Sequence, residues 1–177
     1  MDVLRRRPDA EDDGAESFAW FFTAEYPQVV RLLRVVLGDP ASAEDVAQEA
    51  FVRLHRHWDR VVHYESPEAW VRRVALNQAF SWRRREQRRR ERESRAPAWG
   101  TAAETGAAGA EEADAVLRAV RRLPARDRAL VGLYHLEDRP LDEVASVLGI
   151  SPHAAKVALH RARRRLAGLL NEEEVAR

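Results

Sequence analysis

The side chains of this 177-residue chain that could carry chemistry are its carboxylates, six histidines and thirty basic groups, and cysteine is absent. Without a thiol there is no disulfide scaffold, no thiolate zinc site and no cysteine nucleophile. A metal or acid–base site would draw on Glu44, Asp45, Glu49, His55 and His57. Neither histidine stands three or four residues from Glu49, the spacing that places an imidazole and a carboxylate side by side on a helix. A glycine-rich phosphate loop is also missing. The sequence therefore predicts no enzyme, no metal and no cofactor.

Arginine is the chemistry that remains, and its placement is uneven. Lys156 is the one lysine among the thirty basic residues. The chain as a whole carries +1, yet residues 66–95 hold ten Arg against four Glu, and 151–170 hold five basic groups and no acid. Codon bias would raise arginine everywhere and would not gather it into two blocks. Two separated basic segments are the footprint of a nucleic-acid binder with two contact sites. In the first block Asn77, Ser81, Arg84 and Arg88 fall on one helical stripe with Arg85 beside it, a geometry suited to phosphates. His63 and Tyr64 precede that helix, where aromatic rings could stack an unpaired base. An ordinary half-buried loop aromatic is an equal reading of Tyr64. In the second block His153, Val157, His160 and Arg164 share a face, flanked by Lys156 and Arg161. The early residues of that face suit base edges, and Arg161, Arg163, Arg164 and Arg165 suit phosphates.

The elements that must position these groups are helical throughout, so the fold class is all-α. Residues 96–110 contain seven Ala and three Gly without apolar periodicity, and predict a flexible linker over 96–111. It joins two small domains, 17–95 and 112–171, with tails at 1–16 and 172–177. The first domain opens with a helix over 17–26. A second helix is expected to start at Pro27, present Val29, Leu33, Val36 and Leu37, and stop at Gly38-Asp39-Pro40. Ser42-Ala43-Glu44-Asp45 resembles a capping box for a third helix reaching about Trp58. Its apolar stripe is Ala43, Val46, Ala47, Ala50, Phe51, Leu54 and Trp58, opposite Asp45, Gln48, Glu49, Val52 and Arg56. By periodicity alone that polar side reads as a solvated face. Ser66 and Pro67 open a fourth helix that runs into the arginine block.

Downstream, helical segments are expected over 115–123, 126–136, 141–148 and 152–170. The last two have the grammar of a helix-turn-helix: Ala145 at the crossing, Gly149 at the left-handed turn, Ile150 as a plug, then Ser151-Pro152 as the next cap. Ala155, Leu159, Ala162 and Leu166 are its buried stripe. The longest stretch without a charged residue, 144–155, is too short and too broken to span a membrane, and the N-terminus lacks an apolar leader. A cytoplasmic protein without membrane insertion is expected.

At this point the residues resemble a known family. Ser42-Ala43-Glu44-Asp45-Val46-Ala47-Gln48-Glu49-Ala50-Phe51 resembles the region 2 signature of bacterial sigma factors, and 70–77 (WVRRVALN) its continuation. Leu123-Pro124-Ala125-Arg126-Asp127-Arg128 with the helix-turn-helix is similar to region 4. Two regions and a short linker resemble the smallest, extracytoplasmic-function (ECF) type.

The resemblance implies that Asp45, Gln48 and Glu49 dock on the clamp helices of the β′ subunit of core RNA polymerase. It implies that His63, Tyr64, Asn77, Ser81, Arg84, Arg85 and Arg88 capture and melt the minus-10 promoter element. His153, Lys156, Val157, His160, Arg161 and Arg164 would read the minus-35 element as duplex. An anti-sigma partner and a monomeric free state are implied too. Ser81 stands where family members often carry Asp, and Ala154, Val157 and Ala158 stand where Thr, Ser and Arg are common, so an altered minus-35 preference is expected. The competing reading is a free-standing helix-turn-helix regulator that binds DNA without engaging polymerase.

Overall fold

The computed structural model describes residues 14–93 and 111–175, all of it helix, turn or short connection. Residues 1–13 of the tail expected over 1–16, and 96–110 of the linker expected over 96–111, lie outside the described residues. In chain order the elements are α1 (Gly14–Leu37), α2 (Pro40–His55), α3 (Trp58–Val61), α4 (Pro67–Glu93), α5 (Glu111–Arg122), α6 (Ala125–Val131), a π turn (Gly132–Leu136), α7 (Leu141–Leu148) and α8 (Pro152–Val175).

The first two expected helices are one. Pro27 lies inside α1 with its ring exposed to solvent. An interior proline costs about 3 kcal/mol, but Phe21 before it and Val29, Val30, Leu32 and Leu33 after it are all buried in the same core. Burying each such side chain contributes about 1.5–3 kcal/mol, so packing on both sides of Pro27 holds the helix through it. Helix α1 also begins at Gly14, inside the stretch 1–16 expected to be a tail.

The start of α2 differs from the expected capping box as well. Asp39, extended at φ −114°, is the N-cap, and its carboxylate accepts the Ser42 N–H at 2.8 Å and the Ser42 hydroxyl at 2.5 Å. Those two bonds, the hydroxyl first, hold the Asp39 carboxyl below the usual carboxylate range. Gly38 (φ +82°) and Pro40 on either side made the true boundary readable: a left-handed stop, a cap, then proline in the first turn. The helix also ends earlier than expected, at His55, and Trp58 opens the short α3.

Helices α1, α2 and α4 pack on one another around Leu33, Leu54, Val71 and Leu76. Phe18 and Phe21 meet Trp58 at ring separations of 5.4 and 5.0 Å and close the bundle at the α3 end. Ser66 caps α4 by accepting the Ala69 N–H at 3.1 Å. In the C-terminal unit α5, α6 and α7 all pack on α8, which runs four residues past the expected boundary at 171. Gly149 takes the left-handed conformation (φ 66°, ψ 38°) between α7 and α8, and Ile150 N–H returns to the Ala145 carbonyl at 3.0 Å. The Ser151 hydroxyl accepts the Ala154 N–H at 3.1 Å. The expected helix-turn-helix is therefore present, with Ala155, Leu159 and Ala162 buried beneath it.

The two units also pack against each other. Helix α1 lies against α6 and the π turn, α4 lies against α7, and one continuous apolar core runs through both.

Candidate nucleic-acid interface

Helix α2 presents Asp45, Gln48 and Glu49 to solvent as a ridge between two grooves. Toward α4, Asp45 and Glu49 line a cleft of about 530 Å³ together with Trp70, Arg73, Asn77, Gln78, Ser81, Trp82 and Arg85. Toward α1, Gln48 lines an apolar groove of about 370 Å³ with Phe18, Phe22, Phe51, Val52 and His55. His55 stacks edge-on against Phe18 at 4.7 Å and so serves this wall. Among the described residues no three His, Asp or Glu side chains converge as a metal site.

The structure sorts the first arginine block, and the sequence had overcounted its free charge. Arg72 is buried between carboxylates of both units. Arg83 donates to the Val36 carbonyl at 3.1 Å, satisfying the C-terminal turn of α1; burial and then Arg90 push its pKa down. Arg89 and Arg90 both bond Glu86, whose carboxyl those two hydrogen bonds lower to about 2. Arg73, Arg84, Arg85 and Arg88 face outward with Asn77, while Arg89 and Arg90 are exposed but tied to Glu86. Ser81 is half-buried: its hydroxyl donates to the Asn77 carbonyl at 2.9 Å and accepts from Arg84 at 3.0 Å, so it orients Arg84. His63 and Tyr64 are exposed on the α3–α4 turn and do not line the cleft. Tyr64 is 42% exposed.

The second block divides the same way. His153, Lys156, His160, Arg161 and Arg164 are exposed along α8, and Val157 is half-buried beside them. Arg163 is instead held over the Tyr134 ring at 5.2 Å and donates to His135 Nε2 at 3.3 Å. Arg165 is paired with Asp127. Both therefore brace α8 against α6 and the π turn, where the sequence had placed them among the phosphate contacts.

Sequence reasoning missed Gln78, whose Oε1 is buried in the cleft region without a hydrogen-bond partner. It also missed the role of Arg72. That residue shares a helical stripe with buried Ala75, Leu76 and Ala79, and a charge on an apolar stripe is the signal of a buried partner.

Comparison with known proteins decides the family. Residues 21–89 match the family model of sigma-70 region 2, and residues 113–166 match that of sigma-70 region 4. ECF sigma factor SigF of Caulobacter vibrioides is 34% identical over 166 residues, covering 82% of this chain and 85% of that protein. The chain belongs to the ECF sigma factors of RNA polymerase. RNA polymerase sigma-E factor of Streptomyces coelicolor is 30% identical over 154 residues, 84% of this chain and 81% of that one. The chain spans 41% of the length of a further relative, a Xanthomonas campestris protein named "Probable RNA polymerase sigma factor RfaY", at 31% identity. The fold is that of sigma factor RpoE in complex with the anti-sigma factor NepR from Bartonella quintana, with a TM-score of 0.73, 19% identity and coverage of 88% of this chain and 98% of that one. It is also that of CnrH in complex with the cytosolic domain of CnrY (TM-score 0.63, 20% identity, 89% and 90%).

As an ECF sigma factor the chain binds core polymerase, recognises the minus-35 and minus-10 elements and assists melting, so the free-standing regulator reading is not favoured. None of its described helices is long and apolar enough to cross a membrane.

Proposed function

We propose that the two functional faces divide as the geometry divides them, over domains of residues 17–95 and 112–171. Asp45, Gln48 and Glu49 dock the β′ clamp helices. The observation that carries this is the exposed α2 ridge, acidic toward one groove and apolar toward the other. A basic helix of the polymerase could pair with Asp45 and Glu49 while setting an apolar side chain beside Val52, which is 51% exposed.

Asn77, Arg84, Arg85 and Arg88 hold the minus-10 strand, with Ser81 orienting Arg84, and His63 and Tyr64 stack an unpaired base. The unstacking cost of a few kcal/mol is offset by capture of the extruded base. His153, Lys156, Val157 and His160 meet base edges of the minus-35 duplex, and Arg161 and Arg164 its phosphates. The protein makes no bonds itself and acts in the cytoplasm as a monomer until it joins polymerase. An anti-sigma factor is its expected inhibitor, since the sigma factor RpoE that it resembles in fold was seen in complex with one.

The test is co-elution with core polymerase in size-exclusion chromatography. Wild type should co-elute and Asp45→Arg should not, while both shift duplex DNA equally. Co-elution of Asp45→Arg at wild-type levels would remove the ridge from the interface.

A further inference from the structure

We propose that Arg72, Glu25 and Glu137 form an electrostatic latch that closes the free chain on itself and withholds its promoter-reading reach. The latch deepens the sigma-factor reading above and rests on it. Arg72, on α4, is 2% exposed, and its Nη1 donates to Glu25 Oε2 of α1 at 2.7 Å. Its Nε donates to Glu137 Oε2 in the C-terminal unit, whose side chain is 3% exposed. Arg139 approaches the same Glu137 oxygen at 3.4 Å and also bonds Glu143 at 3.0 Å. Burial opposes the charge on Arg139, but Glu143, Glu137 and Glu25 outweigh it and raise its pKa.

Apolar and steric contacts complete the closure. A Cβ on Gly132 would lie 2.8 Å from Leu32 Cδ1, so the π turn sits flush on α1. A Cβ on Gly149 would lie 3.1 Å from Arg73 Nη2, and Arg73 lines the α2–α4 cleft. The turn of the helix-turn-helix is therefore pressed against the rim of the cleft that carries Asp45, Glu49 and Asn77.

Size makes this closure incompatible with function. Elements some 25 base pairs apart lie roughly 85 Å apart along a duplex at about 3.4 Å per base pair. A compact body of this length has a radius of gyration near 16 Å, hence a diameter of about 40 Å. The closed chain cannot read both elements at once, and the two units must part. A buried ion cluster suits a joint that has to open. Its charges are costly to bury and regain full hydration on release, so within a seam whose apolar core is continuous between the units it sets the pairing while lowering the cost of parting them. Glu137 Oε1 remains buried without a partner, which weights the joint further toward opening.

The absence of native cysteine allows the full chain to be labelled for energy transfer through Asp59→Cys and Asn171→Cys, both exposed. Wild type should show a high-transfer closed population. Glu137→Gln should shift it to low transfer and tighten binding to core polymerase, by up to about tenfold if the free wild type is open a tenth of the time. Arg72→Met/Glu137→Met, an apolar replacement of the pair, should remain closed and bind no more tightly than wild type, which separates latch loss from damage to α4. Retained helical circular dichroism in each variant shows that the units stay folded. A low-transfer wild type, or a Glu137→Gln chain unchanged in both transfer and affinity, overturns the latch. If no variant binds polymerase, the sigma-factor reading fails instead, and the transfer measurement still decides the latch.

Discussion

Gly132 offers a substitution whose sign depends on whether the two units pack. Its backbone is helical (φ −62°, ψ −49°), so nothing in its own conformation requires glycine. In an isolated C-terminal unit, alanine there should therefore stabilise by about 0.5–1 kcal/mol through helix propensity and reduced unfolded-state entropy. In the whole chain the new Cβ would meet Leu32 Cδ1 at 2.8 Å, and Leu32 is fully buried with no open side to turn toward. Overpacking of that kind costs about 1–3 kcal/mol. The net expectation for Gly132→Ala is a loss of about 0.5–2 kcal/mol. In a protein of this size that lowers Tm by about 2–4 °C per kcal/mol, or is relieved by separation of the units. Differential scanning calorimetry with small-angle scattering reads both outcomes. A Gly132→Ala protein that is more stable than wild type and equally compact would refute the packing of the π turn on α1.

Three further expectations follow from particular contacts. Asp39→Ala should cost about 1 kcal/mol by removing the cap of α2, read as a shift in denaturant midpoint without a change in slope. Arg161→Ala and Arg164→Ala should each flatten the salt dependence of duplex binding by about 0.9 in log–log slope. Arg165→Ala, whose guanidinium is held by Asp127, should leave that slope unchanged and lower stability instead. His135 is pushed below its ordinary value of 6.5 by burial and then by Arg163, so the unfolded chain takes up that proton first. Its contribution is intact above pH 6.5 and fades as pH falls toward the folded pKa; Tm should drop on acidification through that window, and His135→Gln should flatten the drop.

Much of this fold was legible because its boundaries are written in local chemistry. Gly149, Ser151 and Pro152 place the helix-turn-helix without reference to anything distant. Pro27 and Ser42 misled for the opposite reason. Whether a proline ends a helix depends on what packs on either side of it, and a serine at the third helical position donates to Asp39 as readily as it would cap. The site was legible as helix faces, since 3.6-residue periodicity separates Asp45, Gln48 and Glu49 from the core. It was not legible as a set of free charges. Arg72, Arg83, Arg163 and Arg165 look like their neighbours in sequence and are spent on partners 28 to 65 residues away. The pairing of the two units likewise includes a contact that no local pattern reveals, Glu137 meeting Arg72 across the chain.

The most direct test is run-off transcription with core polymerase on pooled genomic fragments, with the 5′ ends of the transcripts sequenced. The account predicts that adding the chain yields a small set of start sites sharing sequence near minus-10 and minus-35. Asp45→Arg should abolish those transcripts while still binding duplex DNA through α8. Start sites unchanged by adding the chain, or undiminished with Asp45→Arg, would contradict it.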